Sequence, residues 1–310
     1  MTDIKSVSGL FENSTVLPNS ESKERLQKLV GMDDKINRLK NMISVLINPH
    51  GLKQWMGKHH PNALNLIDTV LRRPPLVILA GDVGSGKTEL AETIGDAIAR
   101  QENIDITLLP ISLSSRGQGR VGEMTQLVSS AFEQAFTQAS KFKSASGSAR
   151  GGVILLVDEA DALAQSRESE QMHHEDRAGV NAFIRGIDRL ANGKLPVAVI
   201  MCTNRLNALD PAVRRRAADI LEFSRPNESQ RMEIFNRNFT HIGFTTMEIK
   251  ELVYETGVNA TRKYGFTYSD LTQRLLPTII LDAYPRGAIT GTRAIEIAKS
   301  LAPTPPFNDK

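Results

Sequence analysis

The chain reads as an α/β protein, a five-stranded parallel sheet with flanking helices, followed by a small C-terminal helical domain. Three observations point there. Between residues 76 and 223, short apolar runs alternate with amphipathic helical stretches, the pattern of a parallel sheet covered on both faces. A phosphate-loop signature stands directly between the first such run and the helix after it, the context in which that motif acts. After Pro226 the strand-like runs cease and four helical segments follow.

Taken in order, residues 1–24 are polar with little periodicity and read as a flexible tail. The large domain spans 25–225. Leu26, Leu29 and Val30, then Ile36, Leu39, Met42, Ile43 and Leu46, keep helical spacing, and Gly31 marks a turn between two helices. Asn48-Pro49-His50-Gly51 stops the second helix, and 52–73 hold another periodic stretch. Leu76–Ala80 reads as a buried strand leading to a helix from Lys87 to about Gln101, and Ile106–Ile111 as the next strand. A Gly-rich loop, 116–122, precedes a helix from Glu123 to about Phe142. Val153–Val157 is the third strand, with helical stretches near 160–166 and 177–191; Val197–Cys202 is the fourth and Ile220–Phe223 a short fifth. The helical domain, 226–302, carries segments at about 227–240, 246–258, 268–284 and 291–301, and 303–310 reads as a frayed tail.

Composition narrows the function classes. Hydrophobic residues at 40% and charged residues at 24% exclude wholesale disorder. Lys+Arg 38 minus Asp+Glu 35 leaves +3, which demands no nucleic-acid partner. Cys202 is the single cysteine, so neither an intrachain disulfide nor a cysteine zinc site is expected. No apolar run reaches the ~18 residues of a membrane span and no signal-peptide h-region opens the chain. A reducing, cytoplasmic location and no membrane partner are therefore expected.

Gly81-Asp82-Val83-Gly84-Ser85-Gly86-Lys87-Thr88 fits G-x-x-x-x-G-K-[ST] in full. The glycines let successive backbone N–H groups curl around an anion, and the following helix N-terminus adds its partial positive charge. Lys87 is expected to reach the β- and γ-phosphates and the Thr88 hydroxyl to bind Mg²⁺. Glu89 completes the nucleotide-binding segment.

Asp158-Glu159 ends the apolar run Val153–Val157, at the strand end where ligands bind in open α/β sheets. Asp158 is expected to hold Mg²⁺ through water and Glu159 to accept a proton from the attacking water. Asp-Glu-Ala-Asp also has the composition of a helix N-cap with first-turn acids. Asn204, after the strand at 197, can orient the lytic water or cap a turn before Arg205. Arg214-Arg215-Arg216 cannot all face one way on a helix, where neighbours stand ~100° apart. Arg215 or Arg216 reaching a neighbouring subunit's nucleotide would act as an arginine finger; a solvated basic face or a nucleic-acid patch is the alternative.

These residues resemble the AAA+ ATPase superfamily over about residues 25–300. The series is ordered: Leu29-Val30-Gly31, the phosphate loop, Val121-Gly122-Glu123 leading into Ala131-Phe132-Glu133, Asp158-Glu159-Ala160-Asp161, Thr203-Asn204-Arg205 and Leu209-Asp210-Pro211-Ala212. The resemblance implies ATP and Mg²⁺ as ligands, Val30 and Gly31 against the adenine, a helical lid, and ring oligomers, usually hexamers, with ATP between subunits. It also implies a pore loop at Arg120-Val121-Gly122, where the family's usual aromatic is missing. The polar stretch Arg167–Arg177 falls where a second pore loop lies, or is a plain solvated loop; its His173-His174 pair lacks a third ligand at metal-site spacing. The family's lid sensor arginine has Leu271 or a neighbour in its place, with Arg274 and Arg293 nearby.

Only about 25 residues precede the ATPase module, and Ala217-Ala218-Asp219 follows the arginines. On both counts the chain looks like bacterial relatives of the pachytene-checkpoint ATPases, which remodel HORMA-domain proteins, including in CBASS anti-phage operons. The implied activity is an ATP-hydrolysing ring that partly unfolds a protein held in its pore. A nucleic-acid motor or loader, with Arg72, Arg73, Lys141 and Lys143 on phosphates, and a nucleotide-gated scaffold are the competing classes.

Overall fold

The computed structural model describes residues 11, 14–63, 65–113, 123–144, 148–163 and 174–307. They form two compact units, one running through Lys28 with Asp34–Ala80 and Thr88–Glu222, the other made of Leu29–Asp33, Gly81–Lys87 and the chain from Phe223 on. Gly81–Lys87 of the phosphate loop group with the helical region, and Thr88 with the sheet.

The elements run β1 (Thr15–Leu17), α1 (Ser20–Gln27), α2 (Asp33–Ile47), α3 (Pro49–His59), α4 (Asn65–Leu71), β2 (Leu76–Gly81), α5 (Lys87–Glu102) and β3 (Asp105–Ser112). They continue with α6 (Glu123–Phe142), β4 (Gly151–Asp158), α7 (His174–Gly193), β5 (Val197–Thr203), α8 (Pro211–Arg214) and β6 (Ala217–Phe223). The helical region holds α9 (Glu228–Phe239), α10 (Thr246–Glu255), α11 (Leu276–Ala283) and α12 (Gly291–Ser300). Pro49 does end α2, but it also opens α3 in the first turn, where a missing N–H is harmless.

Among the described residues the sheet has six strands in the order β1-β3-β4-β5-β2-β6, one more than expected. β3, β4, β5 and β2 are parallel neighbours, and β1 pairs antiparallel with β3. β1 and most of α1 come from the stretch read as a tail. Three contacts order it. Leu17 is fully buried, the Asn19 N–H donates to Asp96 Oδ1 at 2.8 Å, and the Arg25 guanidinium forks onto Glu89 with two 2.8 Å bonds while also reaching Glu92.

β2, β4 and β5 read as continuous apolar runs because both faces are covered. On one face Ile78, Leu155, Val157 and Val199 pack with Val128, Phe132 and Phe183 of α6 and α7, with the two rings edge to face at 5.3 Å. Alternate residues Val77, Leu79, Ile154 and Ile200 are buried as well.

In the helical region, α9 and α10 each start with a capping box, Asn227 with Gln230 and Thr245 with Glu248. Phe239 stacks on Phe244 at 4.5 Å within a core that includes Phe235, Leu252, Leu271, Leu275 and Ala294. The expected helix 268–284 is continuously helical from 268 to 283, with a π-helical turn, Asp270–Leu275, running directly into α11. Pro277 stands just after the π turn and has no N–H to give to the preceding turn.

Thr304, in the C-terminal segment, is tied back to the helical region. Thr304 donates its N–H to Asp270 Oδ2 at 2.9 Å and its hydroxyl to Oδ1 at 2.7 Å. Asp270 is buried and also accepts from the Thr267 N–H and from Arg274. Burial pushes the Asp270 carboxyl up, but the hydrogen bonds from Thr267, Thr304 and Arg274 together outweigh it and hold the group below the usual carboxylate range. A lowered native value means stability that is full above pH ~4 and drains away as pH falls through the native value. Thermal unfolding between pH 3 and 7 is expected to show a steeper acid-side loss for wild type than for Asp270→Asn. Parallel curves would refute the linkage.

Candidate nucleotide-binding and hydrolysis residues

Residues Gly81–Lys87 of the phosphate loop share their compact unit with Leu29–Asp33 and the helical region, whereas Thr88 belongs to the other unit; most of the residues expected against phosphate and adenine are thus in one unit. Gly84 (φ 70°) and Gly86 (φ 91°) are left-handed. A Cβ on Gly84 would stand 2.8 Å from Thr267 Oγ1, and one on Gly86 2.6 Å from the Met32 terminal methyl. Neither position admits a side chain. Buried Lys87 folds its ammonium over the loop, donating to the carbonyls of Gly81 at 2.9 Å and Asp82 at 2.8 Å. The Ser269 N–H donates to the Gly84 carbonyl at 3.0 Å. Val30 is buried in the helical core, and Gln230 Nε2 donates to the Gly31 carbonyl at 2.7 Å.

The acids lie in the other unit, at the carboxyl edge of the sheet. Strand register aligns Ser112 with Asp158, Val157 with Met201, and Ala80 with Thr203. Ala80 is the last residue before the phosphate loop. The Glu159 N–H donates to Asp158 Oδ1 at 2.8 Å, and Ser112 Oγ donates to Glu159 Oε2 at 2.6 Å. Glu159 is exposed and holds φ 52°, an uncommon conformation for a residue with a side chain, with a cost of order 1 kcal/mol. Ala160–Leu163 is a short 3-10 turn, so Asp158 and Glu159 do not open an α-helix.

Asp161 ties this turn to the end of β5. Its Oδ1 accepts from Thr203 Oγ1 at 2.6 Å, the Asn204 N–H at 2.8 Å and the Arg205 N–H at 3.2 Å. Its Oδ2 accepts from Asn204 Nδ2 at 2.8 Å. Asp161 lies within the Asp158-Glu159-Ala160-Asp161 motif, where its neighbours in the sequence indicate no role for it. Ser112 went unnoticed, and only the pairing of β3 with β4 reveals it.

Other expected site residues have partners within the chain. Glu89 faces Arg25. Arg216 forms a two-pronged ion pair with Asp188 of α7, at 2.7 and 3.0 Å. Arg215 is exposed, its Nε donating to the Pro211 carbonyl at 3.3 Å. Leu271 is fully buried, Arg274 pairs with Asp270, and Arg293 pairs with Asp282 and Glu296. Arg120, Val121 and Gly122 lie outside the described residues, as does 167–173. Thr88 and Asp158 supply a hydroxyl and a carboxylate, hard oxygen donors of the kind Mg²⁺ takes. Among the described residues no helix is long and apolar enough to cross a membrane.

A mostly parallel sheet with a phosphate loop after β2, an Asp-Glu pair at the end of β4 and a helical region later in the chain defines a P-loop nucleoside triphosphatase. The family model described as "ATPase family associated with various cellular activities (AAA)" matches residues 77–225. The chain belongs to this AAA ATPase family, and it is an ATPase. It is 60% identical over 305 residues to CD-NTase-associated protein 6 of Escherichia coli (strain MS 115-1), covering 98% of both chains. Among solved structures it is similar to a chain of the E. coli MS115-1 HORMA:CdnC:Trip13 complex, at TM-score 0.88 and 59% identity over 96% of this chain and 97% of that one. It is also similar to Rhizobiales Trip13, at TM-score 0.75 and 53% identity, covering 96% of this chain and 100% of that one.

Proposed function

We propose that this ATPase remodels a HORMA-domain protein in a bacterial anti-phage nucleotide-signalling (CBASS) system, hydrolysing ATP to pull the client apart from its partner. The observation that carries the reading is the 60% identity, end to end, with a CD-NTase-associated protein. The match to a chain solved in a HORMA:CdnC:Trip13 complex supports the same client class.

Each residue then has a task. The loop N–H groups and Lys87 bind the phosphates, and Val30 and Gly31 flank the adenine. Thr88 and Asp158 hold Mg²⁺, which screens phosphate charge when bound. Glu159, steadied by Ser112, takes the proton from the attacking water, and Asn204 orients that water. Arg215 or Arg216 serves a neighbouring subunit's site in a hexameric ring; the exposure of Arg215 and the hold of Asp188 on Arg216 favour Arg215. Arg120-Val121-Gly122 contacts the client, and the assembly works in the cytoplasm.

The test uses the purified chain, a HORMA-domain protein closed on its partner, and ATP. Size-exclusion chromatography is expected to show the HORMA protein released from its partner with ATP and retained with a non-hydrolysable analogue. Equal release under both conditions, or none with ATP, would sink the reading.

A further inference from the structure

The phosphate loop carries an acid of its own. Asp82 is its second residue, and a carboxylate there opposes the task of the surrounding N–H groups and of Lys87, which is to attract phosphate oxygens. The acid is neutralised within its own compact unit. Arg225, two residues beyond β6, donates from Nε to Asp82 Oδ2 at 2.7 Å. Its Nη2 lies 2.6 Å from the same side chain's oxygen at an angle that makes no hydrogen bond. Both side chains are largely covered, 15% and 17% exposed, so water screens the pair less than it would a surface ion pair. The other carboxylate oxygen accepts from the N–H groups of Val83 at 2.9 Å and Phe307 at 3.3 Å.

The guanidinium does a second thing. Nη1 donates to the Gly265 carbonyl at 2.5 Å, and the cation lies over the Tyr264 ring, 5.2 Å from its centroid. One side chain therefore grips the phosphate loop and the loop that precedes the Asp270 turn.

We propose that Arg225 is a positioning residue for ATP binding: it cancels the charge of Asp82 and anchors the phosphate loop to the Tyr264–Gly265 segment. The inference rests on the reading of Gly81–Lys87 as the ATP phosphate site. Without Arg225 the uncompensated carboxylate repels the triphosphate, so affinity falls more than turnover. That loss is reversible by removing the Asp82 charge, which a merely structural role for Arg225 would not permit.

The experiment measures the Kd of ATP by competition with a fluorescent ATP analogue, and KM and kcat by phosphate release, on the full chain. Arg225→Ala is expected to raise Kd and KM about tenfold, with a smaller change in kcat, and Asp82→Asn to lower Kd about threefold. The double variant is expected to return to within about threefold of wild type, because the repulsion and its neutraliser vanish together. Wild-type affinity in Arg225→Ala, or a double variant as weak as Arg225→Ala, would overturn the proposal. Should Arg225→Ala not fold, Asp82→Asn decides: unchanged or weaker ATP binding overturns it. Lys87→Ala separates the two levels. If it loses ATP while Arg225→Ala binds normally, only the role of Arg225 falls; if it binds ATP normally, the phosphate-site reading falls too.

Discussion

Replacing Glu159 by Gln is expected to cut ATP hydrolysis by about 10²- to 10⁴-fold, the usual worth of a positioned general base, while ATP still binds. The amide keeps the volume and can still accept from Ser112 Oγ, which the structure places 2.6 Å from Glu159 Oε2. It cannot take a proton from water. The backbone at φ 52° is unchanged, so the stability of the sheet edge is expected to stay within about 0.5 kcal/mol of wild type. Steady-state phosphate release together with calorimetric ATP binding checks both halves. Turnover within threefold of wild type would remove Glu159 from the chemistry, and loss of ATP binding would show that the side chain holds the loop edge in shape.

The second large effect belongs to Asp161. Its carboxylate accepts four hydrogen bonds from Thr203, Asn204 and Arg205. Truncation to Ala leaves the Thr203 hydroxyl, on a residue 1% exposed, without this acceptor. With hydrogen bonds to charged groups worth about 1.5–3 kcal/mol each and partial exposure of the cluster, a loss of about 2–4 kcal/mol in unfolding free energy is expected. Asp161→Asn is more discriminating. Its single oxygen can keep the Oδ1 bonds, but its amide would face Asn204 Nδ2, donor against donor. Relief comes if Asn204 turns its carboxamide over, which under its proposed role reverses the group offered to the attacking water. The expected result is a small change in Tm with kcat down at least tenfold and KM for ATP much less altered. Urea unfolding and phosphate release give the two readings. A kcat that tracks stability in both variants would mean that Asp161 supports the fold and nothing more.

Legibility in the sequence followed chain distance. The helix Glu123–Phe142 was read to its observed ends because its apolar face repeats over 20 residues. The phosphate loop and Asp158-Glu159 were legible because their meaning lies in residue types at adjacent positions. β1 was not: a three-residue strand has no period to detect, and only its pairing with β3 declares it. The C-terminal segment looked frayed because nothing local reports that Thr304 meets Asp270, 34 positions earlier.

The order of residues settled the α/β class, the phosphate loop, the acids at the end of β4 and membership of an ATPase family, since each is written in contiguous stretches where backbone geometry and side-chain chemistry act together. Folding in three dimensions assigned the charges. It set Arg25 on Glu89, Arg216 on Asp188 and Arg225 on Asp82, across 64, 28 and 143 positions. Periodicity records which face of an element is covered; it carries no information about which distant ion will stand opposite, because that depends on how the covered faces stack.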